Sequence, residues 1–126
     1  MKRDVPSYRR HREMWWRKEG IKFLGLPMTY DVYVMLRGIQ RNACALCHAD
    51  LDLSFRNAEA VDHDHATGEV RGILCGSRDR CNTSLVKRFE AGKLDRIDDY
   101  TQGRIRRYLT HPPVEKLRTL FRKEAL

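Results

Sequence analysis

Four cysteines in two pairs constrain this chain of 126 residues more than any other feature. Cys44 and Cys47 form a CxxC, and Cys75 and Cys81 follow beyond a short polar stretch. A tetrahedral Zn(II) site takes four soft ligands from two chain segments, and a hairpin between two cysteine pairs would bring such segments together. Two disulfides are the alternative. They are disfavoured, because the basic N-terminus is not followed by an apolar signal core, and a cytoplasmic location is expected. No run of about 18 apolar residues exists, so no membrane span or membrane partner is expected. Four thiolates leave no open coordination position, so the zinc should be structural, replacing a hydrophobic core in a small nucleus. The second pair, CGSRDRC, is wider than a tight zinc knuckle, which leaves the geometry at Cys81 open.

Charge adds a second constraint. The net charge is +8, yet residues 50–70 hold six acidic side chains against one basic, with basic segments on both sides. Such a pattern suits a protein that grips a polyanion with its periphery and a cation with its middle; solvated helix faces explain the flanks equally well. A hydrophobic content of 41% argues against disorder, and the length suits one domain with helical extensions.

Residues 7–19 read as a short basic helix, capped by Ser7 and closed by Gly20, that could cross a phosphate backbone. Trp15 and Trp16 in it read as packing residues ahead of base-stacking ones. Thr29 should cap a second helix to about Gln40, with Tyr30, Tyr33, Val34 and Leu36 or Arg37 at helical spacing. Residues 61–65 and 69–74 read as the strands of a hairpin turned at 66–68. A helix begins near Asn82, with Leu85, Val86 and Phe89 as its stripe, and ends at Gly92. Helices over 95–109 and 113–125 follow, the last presenting Val114, Leu117, Leu120 and Phe121. The expected fold is α+β and mostly helical: basic helices over 1–40, a zinc-stabilised nucleus over 41–92, and C-terminal helices over 93–126 that could form a dimer face.

The strand Val61-Asp62-His63-Asp64-His65 concentrates four ionisable groups. Alternation places Asp62 and Asp64 on one face and His63 and His65 on the other, unless the strand ends or twists between them. These groups could hydrogen-bond across the hairpin or form another zinc site. They also match what phosphodiester hydrolysis requires. Histidine can take a proton from water near neutral pH, while a hard divalent cation stabilises the phosphorane charge and the leaving alkoxide. Mg(II) needs few protein oxygens, so Asp62 and one amide oxygen would suffice. Asn82 could supply that amide, or simply cap its helix.

The order CALC, then VDHDHATGEVRGILC, then CN opening a helix resembles the phage recombination endonuclease VII family, a branch of the His-Me finger (ββα-metal, HNH-like) nucleases. GLPMTYDVY is also similar to the helix leading into the first CxxC of many phage members, and the resemblance covers about residues 20–90. It implies that Cys44, Cys47, Cys75 and Cys81 hold structural zinc. It further implies that Asp62 and Asn82 ligate the catalytic Mg(II) or Mn(II), that His63 is the general base, and that His65 contacts phosphate or transition state. Asp64 would orient a histidine or the strand, and Arg71 would meet phosphate or an acidic neighbour. Two departures stand out: the wide second cysteine pair, and Thr83-Ser84-Leu85-Val86 where the family commonly has glycine. Family members described as junction resolvases are intertwined homodimers, so the resemblance implies a homodimer acting on DNA.

The expected function is therefore a metal-dependent DNA endonuclease of branched or distorted DNA, Holliday junction resolvase-like, acting in a bacterial host's cytoplasm if phage-encoded. The rivals are a less structure-selective HNH nicking or homing-type enzyme and a non-catalytic zinc DNA-binding module.

Overall fold

The computed structural model describes residues 6–51, 59–76 and 81–125, with the side chains of residues 83 and 123–125 left aside. The spacer at 77–80, whose width distinguishes the second cysteine pair, lies outside the described residues. About half of the chain is helical, and two small antiparallel sheets complete an α+β architecture.

Helix α1 (Pro6–Lys18) opens on proline, whose fixed φ and missing N–H suit a first helical turn. Ser7 thus lies inside the helix rather than at its cap. Gly20 ends it at φ +77°, with Ile21 N–H donating to the Trp16 carbonyl and Gly20 N–H to that of Arg17, each at 3.0 Å. The tight hairpin of β1 (Lys22–Phe23) and β2 (Leu26–Pro27) follows. The Glu69 carboxylate secures its turn, accepting from the backbone N–H groups of Leu24 and Gly25 at 2.9 and 2.8 Å. Thr29 caps α2 (Tyr30–Ile39) as its position suggested, accepting from Val32 N–H at 3.2 Å. The buried face of α2 carries Tyr30, Val32, Tyr33, Leu36 and Arg37, whereas Val34 is exposed.

The central hairpin pairs β3 (Glu59–His63) with β4 (Val70–Cys75), and every residue of β4 is buried. Both begin and end slightly earlier or later than alternation suggested, because Asp64 already belongs to the turn. Gln40, just past α2, pairs with the backbone of β4: its amide donates to the Ile73 carbonyl and accepts from Ile73 N–H, both at 2.8 Å. A strand edge is thereby satisfied by a side chain instead of a third strand.

A π-helical segment (Cys81–Val86) runs directly into α3 (Lys87–Glu90). With i to i+5 bonding, Cys81 and Val86 share the buried side, which an α-helical turn of 3.6 residues would not align as well. Asp98 caps α4 (Asp99–Thr110), accepting from Thr101 N–H at 2.7 Å, and α5 (Val114–Ala125) follows Pro112-Pro113. Val114 and Leu117 are buried and Phe121 meets Phe23 edge to face at 5.1 Å, but Leu120 stands out to solvent. The core runs from Trp16, Tyr30 and Tyr33 on the α1–α2 side through β4 to Ile105, Val114 and Leu117. No described helix is long and apolar enough to cross a membrane.

Candidate active site

The four cysteines converge. Their sulfur atoms lie within 4.8 Å of one another, and those of Cys47 and Cys75 are 3.7 Å apart. Tetrahedral zinc with Zn–S bonds of about 2.3 Å requires sulfur separations near 3.8 Å. The first pair sits in a knuckle: Cys44 N–H donates to the Ala49 carbonyl, His48 N–H to that of Cys44, and His48 takes φ +65°. Backbone N–H groups of Leu46, Cys47 and Cys75 point at the Cys44 sulfur at 3.4, 3.5 and 3.4 Å. The Cys81 thiol and these amides hold the Cys44 pKa down at about 4 against burial, whereas burial pushes Cys75 up to about 11. All four are free cysteines. The cluster can take a structural metal such as zinc, and the wide second spacer does not keep Cys81 from it.

The DHDH segment departs from simple alternation. The pairing register shifts between Asp62 and His63, so that Asp62 faces Gly72 while His63 faces Val70, and Arg71 is the extra residue of a bulge. Strand β3 ends there. His63 and His65 nevertheless lie on one side, their rings 4.7 Å apart, the half-buried His63 further in than the exposed His65. Asp62 turns inward and is buried. Asp64 does not reach a histidine: its carboxylate accepts from Ala66 N–H at 2.7 Å and Thr67 N–H at 3.3 Å, forming the turn. Those bonds, chiefly the one from Ala66, lower its pKa.

Gly68 completes the turn at φ +83°, and a Cβ there would stand 2.4 Å from the Gly20 carbonyl oxygen. Only glycine permits both the backbone angle and this approach. Lys22 N–H donates to the Gly68 carbonyl at 2.8 Å, so the turn is docked on the end of α1.

Asp62 is held from two directions. Arg71 donates Nε to Oδ2 at 2.9 Å and Nη2 to Oδ1 at 3.1 Å, while the Tyr108 hydroxyl donates to Oδ2 at 2.6 Å. Arg71 also pairs with Glu90, through Nη1 and Nη2 at 3.0 and 2.9 Å. Of the two roles open to Arg71, it takes the ion pair. Gly72 leaves room for the Tyr108 contact, since a Cβ there would crowd the tyrosine ring at 3.1 Å. Burial, reinforced by Asp62, keeps the Tyr108 pKa well above 10, so it remains a donor. A carboxylate offers about four lone-pair sites, and these three bonds leave one on Oδ1. Sequence reasoning missed Tyr108 and Glu90; the small residue in VRG was the one available hint.

Asp62, His63, His65 and Asn82 line one cleft of about 560 Å³, to which α1 contributes His11, Arg12 and Trp15 and the turn after it Glu19. Burial, then the neighbouring His65, lower the His63 pKa, opposed by Asp62, the Val61 carbonyl and Glu19. A depressed value favours the neutral, proton-accepting imidazole at neutral pH. Asp62 and Asn82 present oxygen donors of the kind hard divalent cations take. In α1, Trp16 is buried against Tyr30 and Tyr33, as a packing residue should be, but Trp15 is 55% exposed.

The model of the family described as recombination endonuclease VII matches residues 17–110, which include the cysteine cluster and the cleft residues from Glu19 onward. No curated protein and no solved structure matches the chain.

Proposed function

Because the chain belongs to the recombination endonuclease VII family and is therefore an endonuclease, we propose that it hydrolyses phosphodiesters of branched or distorted DNA in the cleft between α1 and the DHDH hairpin. The observation that carries this reading is the single cleft shared by Asp62, His63, His65 and Asn82, brought together from the hairpin and the π-helical segment. The hairpin and the following helix would form the ββα-metal nucleus of a His-Me finger nuclease, held together by zinc on the four thiolates.

In this mechanism His63 accepts the proton of the attacking water, and its lowered pKa keeps the imidazole unprotonated for that task. His65, exposed at the cleft mouth, donates to a phosphate oxygen. Asp62 through Oδ1 and the Asn82 amide oxygen would hold Mg(II) or Mn(II), whose chemistry is stabilisation of charge on the phosphorane and the leaving oxygen. Arg71 and Tyr108 fix the Asp62 carboxylate in advance, so its orientation costs nothing at the moment of reaction.

The test is cleavage of a four-way junction against a matched linear duplex in Mg(II). We expect preferential cutting of the junction, and a loss of at least about 100-fold in His63→Ala with DNA binding retained. Equal cutting of both substrates would instead indicate a general nicking enzyme. Full activity of His63→Ala would remove that residue from the mechanism, and binding without cutting would indicate a non-catalytic module. Cutting opposed strands of one junction calls for two sites, so the reading includes a homodimer. Light scattering at micromolar concentration should give twice the 14.9 kDa chain mass, and a monomer alone would exclude paired cleavage by a preformed dimer.

A further inference from the structure

We propose that Trp15 is a stacking platform for a nucleobase unstacked from the DNA strand lying in the His63 cleft, and so a determinant of preference for distorted DNA. This role rests on the nuclease reading above. Trp15 lines the same cleft as His63, His65 and Asn82. It is 55% exposed, and among the described residues its ring meets no aromatic ring or guanidinium. Its neighbour Trp16 is 2% exposed and packs on Tyr30 and Tyr33, so the fold of α1 is secured without Trp15. An indole held at the lining of a polar cleft offers a flat face on which another ring can stack.

Charge and size say which occupant. Arg10, Arg17 and Lys18 are exposed on the same helix, and exposed Lys87 also lines the cleft, which suits a polyanion. The cleft of about 560 Å³ has room for a nucleotide beside Trp15. An indole can stack on a base only where that base has lost a stacking neighbour, as at a bulge, branch point or flap. A continuous duplex offers it no free face. Trp15 also lies outside the matched residues 17–110, so the family assignment does not supply this role.

The chain has two tryptophans, so its intrinsic fluorescence reads this interaction directly. The full-length protein is titrated, without added Mg(II), with a 20-mer duplex carrying a three-base bulge and with the fully paired duplex. Wild type should be quenched by the bulged duplex and far less by the paired one. Trp15→Phe, which keeps Trp16, should lose that quenching while retaining most of its affinity. Trp15→Ala should bind the bulged duplex roughly 5- to 100-fold more weakly and the paired duplex within about twofold of wild type. The Trp16 emission maximum reports whether the variants keep their core. Equal losses on both duplexes, or no loss on either, would overturn the stacking role while a wild type that still binds and cuts DNA keeps the nuclease reading. Failure of the wild type to bind either duplex would overturn both.

Discussion

At the scale of single residues, the Asp62 carboxylate accepts three side-chain hydrogen bonds and is buried with its partners. Its side chain is 4% exposed and that of Arg71 is 9% exposed, so their attraction is little screened by water. Removing one partner of such a pair leaves an uncompensated buried charge, at a cost of about 3–5 kcal/mol. We expect Arg71→Ala to lower the stability measured by urea unfolding by that amount; a loss under about 1 kcal/mol would mean that water replaces the guanidinium. The motif identified Asp62 and His63 as candidates because their chemistry is written in adjacent letters. The identity of the groups that hold Asp62 was not legible. Tyr108 is 46 positions away, and no local pattern links a tyrosine of one helix to a strand packed beneath it. Asp64 shows the converse limit. Alternation assumes a regular strand, whereas the strand ends at the bulge opposite His63 and Asp64 is taken into the turn.

Among the elements, the cysteine cluster joins the knuckle after α2, the end of β4 and the start of the π-helical segment. Zinc binding in small cysteine sites is worth about 10 kcal/mol or more, comparable with the whole stability of a domain. The purified protein should therefore contain one zinc per chain by elemental analysis, and Cys44→Ser or removal of zinc by a strong chelator should abolish cooperative thermal unfolding of the nucleus. A folded, zinc-replete Cys44→Ser protein would mean that another ligand set holds the metal. The pairing of the four cysteines was readable because ligand chemistry and spacing are local. The π geometry between Cys81 and Val86 was not, since it answers to two buried partners, the sulfur cluster and the core, that only the folded chain brings close.

For the whole molecule, the basic flanks that composition revealed are not one surface. In α1, Arg12 packs over the rings of Trp16 and Tyr33 and pairs with Glu59, so it belongs to the fold, while Arg10, Arg17 and Lys18 are exposed. Deleting the helix would also remove Trp16 from the core, so surface substitution is the cleaner test of charge. Replacing Arg10, Arg17 and Lys18 together with alanine should flatten the slope of log affinity for duplex DNA against log salt, by about one unit for each phosphate that the variant no longer neutralises. An unchanged slope would assign these charges to solubility. The docking of Gly68 against Gly20 has a further consequence at this scale. The chain after α1 and the turn of the hairpin meet there backbone to backbone, with the Lys22 N–H to Gly68 carbonyl bond beside them. The cleft is thus fastened like a clasp with two unlike catches: at Gly68, docked on Gly20, a side chain of any size would prise it open, while at Arg12 and Glu59 it is side chains that hold α1 to the hairpin.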